Sequence, residues 1–199
     1  ATALSGLIIY LIARKRKLKM GSALIFAIIF FLFAGTAFPL VTDWHPEPTA
    51  GLFLLLFIYF FSYTKRKMIP FVLAIIFLGF KESNALTLSF FLISCLFIYK
   101  QRRKEILFYL IGSFIWFIAS IKILIPHFSG REYFYAPQMP SNITEFKQSL
   151  LSIEKYEFVW KSFLSFGFLS IFARFGLIPV LGEILLRILP LHSFFESFT

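Results

Sequence analysis

An all-α bundle of transmembrane helices is the fold class this sequence predicts, and three observations predict it. Of 199 residues, 59% are hydrophobic and only 15% charged, whereas soluble domains have about 45–50% apolar and about 25% charged residues. The apolar residues come in long runs with no charge, such as Ser22 to Val41 and Thr49 to Tyr63. The cations come in short blocks between those runs. Twelve of the twenty basic residues fall in Arg14–Lys19, Lys65–Lys67 and Lys100–Lys104, with Glu105 the only close acid. A soluble core cannot hide so much apolar surface, so lipid is the expected solvent. Seven or eight membrane segments in one transmembrane domain over residues 1–199 are predicted.

The block pattern also decides what the net charge of +10 means. Basic clusters flanking apolar spans mark cytoplasmic loops, here about 14–20, 64–68 and 100–105. A nucleic-acid groove is the poorer reading, so no nucleic-acid partner is expected. Cys95 is the only cysteine, which excludes an intramolecular disulfide and a cysteine-based metal site.

Each segment follows from the need for about 20 apolar residues, with a range of about 17–25, to cross the hydrocarbon. Ala1–Ala13 reads as the tail of one span, ending at the first basic block, and sequence upstream of it is expected. Its charges follow the apolar stretch, the reverse of a signal peptide. Gly21–Val41 is a second span, leading to an external loop at 42–48. Thr49–Tyr63 returns to the second basic block.

From Met68 to Tyr99 there are only 32 residues between two basic blocks. A chain that goes out and comes back in that length has arms of about 13 to 16 residues, or roughly 20–24 Å. Such arms fall short of the hydrocarbon core of about 30 Å. The turn at Lys81-Glu82-Ser83-Asn84 is therefore predicted at or below the outer surface. The alternative is one long helix through Glu82, with one basic block outside.

Ile106–Ile125 is a full span, predicted to end at Pro126, with Lys122 snorkelling near its outer end. An external loop then covers 126–157, with Arg131 in an aromatic run and a glycosylation-type sequon at Asn142-Ile143-Thr144. Glu145 to Tyr156 has helical spacing. Phe158–Arg174 turns back inward. Leu177–Leu191, interrupted by Pro179, Gly182 and Pro190, returns outward or forms a half-span.

The unusual polar residues gather on the predicted external side. Thr42 to Pro48 reads as a helix-free connection, because Pro46 and Pro48 each lack an N–H and restrain the residue before them. It carries Asp43, His45 and Glu47, candidate ligands for a divalent cation, since hard carboxylates suit Mg²⁺ or Mn²⁺; a solvated loop is the competing reading. Lys81 and Glu82 either cap a hairpin at headgroup level or line an outward-facing cavity, and the short arms favour the cavity. Charge at membrane depth costs at least about 2.5–3.5 kcal/mol and so tends to face a cavity or a partner.

Asp43-Trp44-His45-Pro46-Glu47, then Phe80-Lys81-Glu82, then Ile125-Pro126 with an aromatic external loop occur in one order. That order resembles a prokaryotic family of polytopic membrane proteins known as domain of unknown function 2079, over most of Gly21 to Leu191. Ser83 departs from the family pattern, which commonly has an acid there. The family is distantly similar to the GT-C glycosyltransferases, which take sugars from polyprenyl-phosphate donors at the external face. The resemblance implies a membrane glycosyltransferase in the prokaryotic inner membrane, using a polyprenyl-phosphate-linked sugar. In GT-C enzymes an essential acid lies in the first external loop, which would precede Ala1 here. On this reading Asp43, Glu47 and Glu82 are candidate catalytic acids, and His45, Lys81 and Arg131 are candidate phosphate partners. A secondary transporter and a non-catalytic assembly protein are the alternatives, since charges at membrane depth also mark substrate pathways.

Overall fold

The computed structural model describes residues 1–32, 47–130, 142–144, 156, 159–160 and 175–188. Apart from turns and caps those residues are helical, with no strand among them. The chain divides into two compact units, Ala1–Asn84 and Ala85–Thr199.

The first unit is built from α1 (Thr2–Lys15), α2 (Met20–Leu32), α3 (Glu47–Tyr63) and α4 (Met68–Phe80). Helix α1 packs on α2 and α3, and α3 packs on α4. The α1–α2 contact uses small residues. Ser5, Gly6 and Ala13 are buried on α1, and Ala23 and Ala27, one turn apart, on α2. A Cβ on Gly6 would overlap the Phe31 ring, so the glycine lets that ring lie against the α1 backbone. Around this seam Ile25, Ile28 and Leu32 are exposed. Small residues at helix contacts with large apolar ones outside suit lipid, where close backbone packing drives association.

The α1–α2 turn is closed by a Schellman motif. Leu18 N–H donates to the Ala13 carbonyl and Lys17 N–H to the Arg14 carbonyl. Lys17 adopts the left-handed conformation at φ 64, a position glycine usually fills because a side chain there costs about 1–2 kcal/mol. Arg14 Nη1 adds a bond to the Leu18 carbonyl at 2.9 Å.

Helix α3 corrects one sequence expectation. The helix starts at Glu47 and takes in Pro48, whereas 42–48 was expected to be non-helical throughout. The first turn has amides without intrahelical partners, so a proline there loses nothing. Phe57 and Phe61, one turn apart on α3, stack at 5.5 Å and are fully buried.

The second unit contains α5 (Asn84–Ile98), a 3₁₀ turn (Lys100–Arg102), α6 (Arg103–Ala119), a π-helical turn (Ser120–Leu124), α7 (Ile125–Ser129) and α8 (Leu177–Ile188). The stretch Lys100–Ser129 forms one continuous helix, the only one among the described residues long and apolar enough to cross a membrane. Helices α2, α4 and α5 and the run Thr49–Tyr63 are apolar but shorter. Pro126 does not end the span as expected. Ile125 N–H bonds five residues back to the Ser120 carbonyl, and the wider turn relieves the clash a proline ring makes with the preceding turn. The helix stops at Gly130, left-handed at φ 64, whose N–H caps the Pro126 carbonyl at 3.0 Å. Residues 126–129, expected to open an external loop, are thus helical.

Burial in this unit follows helical faces. Ala85, Leu88, Leu92 and Cys95 are buried on α5, and Ile106, Tyr109 and Ser113 on α6. Ile111, Ile115 and Ile118 are exposed. Two buried serines satisfy their hydroxyls on their own helix, Ser89 on the Ala85 carbonyl at 2.7 Å and Ser113 on the Tyr109 carbonyl at 2.9 Å. Lipid offers no water to do this. Helix α8 contains Pro179 in its first turn, and Gly182 does not break it. Gly182 meets the ring of Phe90 on α5, where a Cβ would overlap the ring base. Ser94 Oγ bonds the Phe175 carbonyl at 2.6 Å, and Phe97 and Phe175 stack at 5.4 Å.

Candidate functional site at the Lys81–Asn84 turn

The break between α4 and α5 excludes a single helix through Glu82. Lys81 leaves the helix with an extended backbone at φ −161, ψ 144. The Asn84 N–H then donates to the Lys81 carbonyl at 3.1 Å, closing a β-turn. The Asn84 side chain does more. Its Nδ2 donates to the Phe77 carbonyl at 2.9 Å, supplying one of the partners the last turn of a helix lacks. This side-chain bond holds the charged residues at a fixed place on the end of α4. Sequence reading located the turn but not this role for Asn84, whose only signal was an asparagine beside Lys-Glu-Ser.

Lys81 is exposed and Glu82 half-buried. The arms flanking them are 13 and 15 residues long, inside the expected range. At 1.5 Å per residue α4 rises about 20 Å, well under a hydrocarbon core of about 30 Å.

Phe53 near the start of α3 meets Phe80 at the end of α4, with centroids 5.7 Å apart. The two helices are therefore antiparallel, and the Glu47 end of α3 shares an end of the unit with Lys81 and Glu82. Phe53 is six steps along α3 from Glu47, so Phe80, the last residue before the turn, meets α3 about 9 Å from the Glu47 backbone. Asp43, His45, Arg131 and the Glu47 side chain lie outside the described residues. Among the described residues no three His, Cys, Asp or Glu side chains gather to hold a metal ion.

Chemically the turn offers a carboxylate that can accept a proton and an ammonium that can hold a phosphate oxygen. Glu105, the acid in the third basic block, is held in an ion pair. Arg102 grips it with Nε at 3.0 Å and Nη2 at 2.8 Å, a two-pronged pair at the start of α6.

Apolar helices that bury small residues at several contacts while leaving many leucine, isoleucine and phenylalanine side chains exposed suit a helical protein of the lipid bilayer. The chain belongs to the family described as Predicted membrane protein (DUF2079), whose model matches residues 1–195. No curated protein and no solved structure matches it.

Proposed function

We propose that this chain is a multi-pass protein of the prokaryotic cell membrane, with seven or eight segments and a GT-C-like glycosyltransferase site on its external face. The observation that carries the reading is the charged pair at the end of a helix too short to span. With Lys65–Lys67 held at one headgroup plane, Lys81 and Glu82 lie about 10 Å short of the other. Charges kept at that depth face a cavity or a partner, and the short arms favour the cavity. The reaction class rests on the resemblance to GT-C enzymes that the sequence motifs suggest.

In that reaction Glu82 takes the proton of the acceptor hydroxyl as its oxygen attacks the anomeric carbon. The bond from that carbon to the polyprenyl phosphate breaks, and its electron pair leaves on the phosphate oxygen. Lys81, with His45 and Arg131, neutralises that phosphate, while Asp43 and Glu47 bind the sugar or assist as acids.

The test is transfer of labelled sugar from a membrane-extracted polyprenyl-phosphate donor by the full-length protein. General-base loss typically costs about 10²–10⁴-fold in rate, so Glu82→Gln is expected to lower kcat by that order while its thermal melt is unchanged. Lys81→Met is expected to raise the donor KM. Wild-type turnover in well-folded variants at both positions would overturn the assignment. Solute uptake into proteoliposomes with no glycan product assigns the same charged turn to a transport pathway.

A further inference from the structure

The first unit carries a second charged feature at the end opposite the Lys81–Asn84 turn, and the proposed glycosyl transfer makes no use of it. The α1–α2 turn bears five cations between Arg14 and Lys19, and the α3–α4 turn bears three at Lys65–Lys67. All eight are exposed. In sequence the two blocks are about fifty residues apart. In the fold they meet, because α1 packs on α3 and the Arg16 guanidinium carbon sits 6.0 Å from the centre of the Tyr63 ring. That distance is at the edge of cation–π attraction, and it joins the two turns into one surface.

Among the described residues of this unit, no carboxylate offsets this charge locally. The acids among the described residues of this unit are Glu47 and Glu82, and they lie at the far ends of α3 and α4. Along those helices they stand about 20 Å or more from the basic turns, beyond a Debye length of about 8 Å at physiological ionic strength. The patch is bordered by apolar surface. Met20, Leu24 and Met68, at the starts of α2 and α4, are exposed. Cations above exposed apolar residues match a phospholipid, with phosphate above and acyl chain below. Arg14 is partly committed to its turn through the Leu18 carbonyl and Arg16 to the Tyr63 ring, so the other six are the main phosphate partners.

We infer that the joined α1–α2 and α3–α4 turns form a binding site for the headgroups of anionic phospholipids, with Tyr63 and Arg16 holding its two halves in register. Basic clusters beside membrane helices recognise anionic headgroups in this way. The third basic block differs, since Glu105 neutralises Arg102 within it. The site is independent of the glycosyl transfer proposed for the opposite end.

The experiment is native mass spectrometry of the full-length protein in neutral detergent, titrated with dioctanoyl phosphatidylglycerol, dioctanoyl phosphatidylcholine or inorganic phosphate. The wild type is expected to bind phosphatidylglycerol at least tenfold more tightly than phosphatidylcholine, with inorganic phosphate failing to displace it. Lys65→Gln with Arg66→Gln and Lys67→Gln is expected to remove most of that preference. Tyr63→Leu, which leaves every charge in place, is expected to weaken it about threefold to tenfold by separating the halves. Lys100→Gln with Arg103→Gln and Lys104→Gln is expected to leave it intact. Equal binding of both lipids overturns the inference. So does displacement by inorganic phosphate, or a preference that follows the third block and ignores the first two.

Discussion

Helix α4 and the continuous helix through α6 and α7 are made of similar apolar residues, yet one has 13 residues and the other 30. The long helix keeps its charges near its ends. Its Arg102–Glu105 pair lies before the apolar stretch, His127 lies after it, and Lys122 is about 5 Å inside the Ile125 boundary, within snorkelling reach. The short helix ends at Lys81 and Glu82 after about 20 Å. On the proposed reading, length separates a helix that only spans from one that delivers charge to membrane depth. The second arrangement persists only with a structural reason to keep it, and the Asn84 bond to the Phe77 carbonyl is such a reason.

The largest expected contrast comes from adding one charge to each region. Ile115 is exposed at the centre of the long helix, so Ile115→Lys is expected to cost about 2.5–3.5 kcal/mol of insertion free energy. Ser83→Lys, in the charged turn, is expected to cost little. A translocon insertion assay on each segment reads both, and equal penalties would remove the distinction between a lipid-facing span and a water-reached turn.

Two glycines sharpen the comparison between units. A side chain at Gly182 would strike the base of the Phe90 ring, which cannot move without its backbone. Gly182→Leu is expected to destabilise the second unit by about 1–3 kcal/mol, the usual cost of overpacking. At Gly6 the obstruction is the tip of the Phe31 ring, and Phe31 is exposed enough to swing aside. Gly6→Ala is therefore expected to shift the thermal melt much less than Gly182→Ala.

Smaller effects probe the turns. Asn84→Ala removes one hydrogen bond, worth about 1 kcal/mol. It is also expected to speed hydrogen exchange at the end of α4. Breaking the Arg102–Glu105 pair with Glu105→Gln is expected to cost only about 0.3–0.5 kcal/mol, because both side chains keep some solvent contact. A larger loss at Glu105 than at Asn84 would reverse the ranking of the two charged regions.

Much of this architecture was legible because lipid imposes simple length rules. Basic blocks at 65–67 and 100–104 left too few residues for two full spans, and that arithmetic placed the break at Lys81. What stayed hidden depends on backbone compensation. Pro126 reads as a terminator, yet the π turn at Ser120–Leu124 absorbs it. Pro48 sits harmlessly in a first turn, and Gly182 is a contact for Phe90 where it looked like a break. Lys17 takes a left-handed position that no glycine announces. The Asn84 bond spans seven residues and closes only once α4 has ended, so no local pattern encodes it. Of the candidate site, the Lys81–Glu82 half could be followed into the fold, whereas Asp43, His45 and Arg131 lie outside the described residues.

The central claim is that the Lys81–Glu82 turn is reached by water from the face opposite the basic blocks. Cys95 is buried and the only cysteine of this sequence, so Cys95→Ser removes it as a background for cysteine labelling in intact cells. On that background Glu82→Cys is expected to react with a small membrane-impermeant thiol reagent added outside, and Gln101→Cys only after the cells are permeabilised. Labelling of both from the same side, or no labelling of Glu82→Cys from either, would contradict the account.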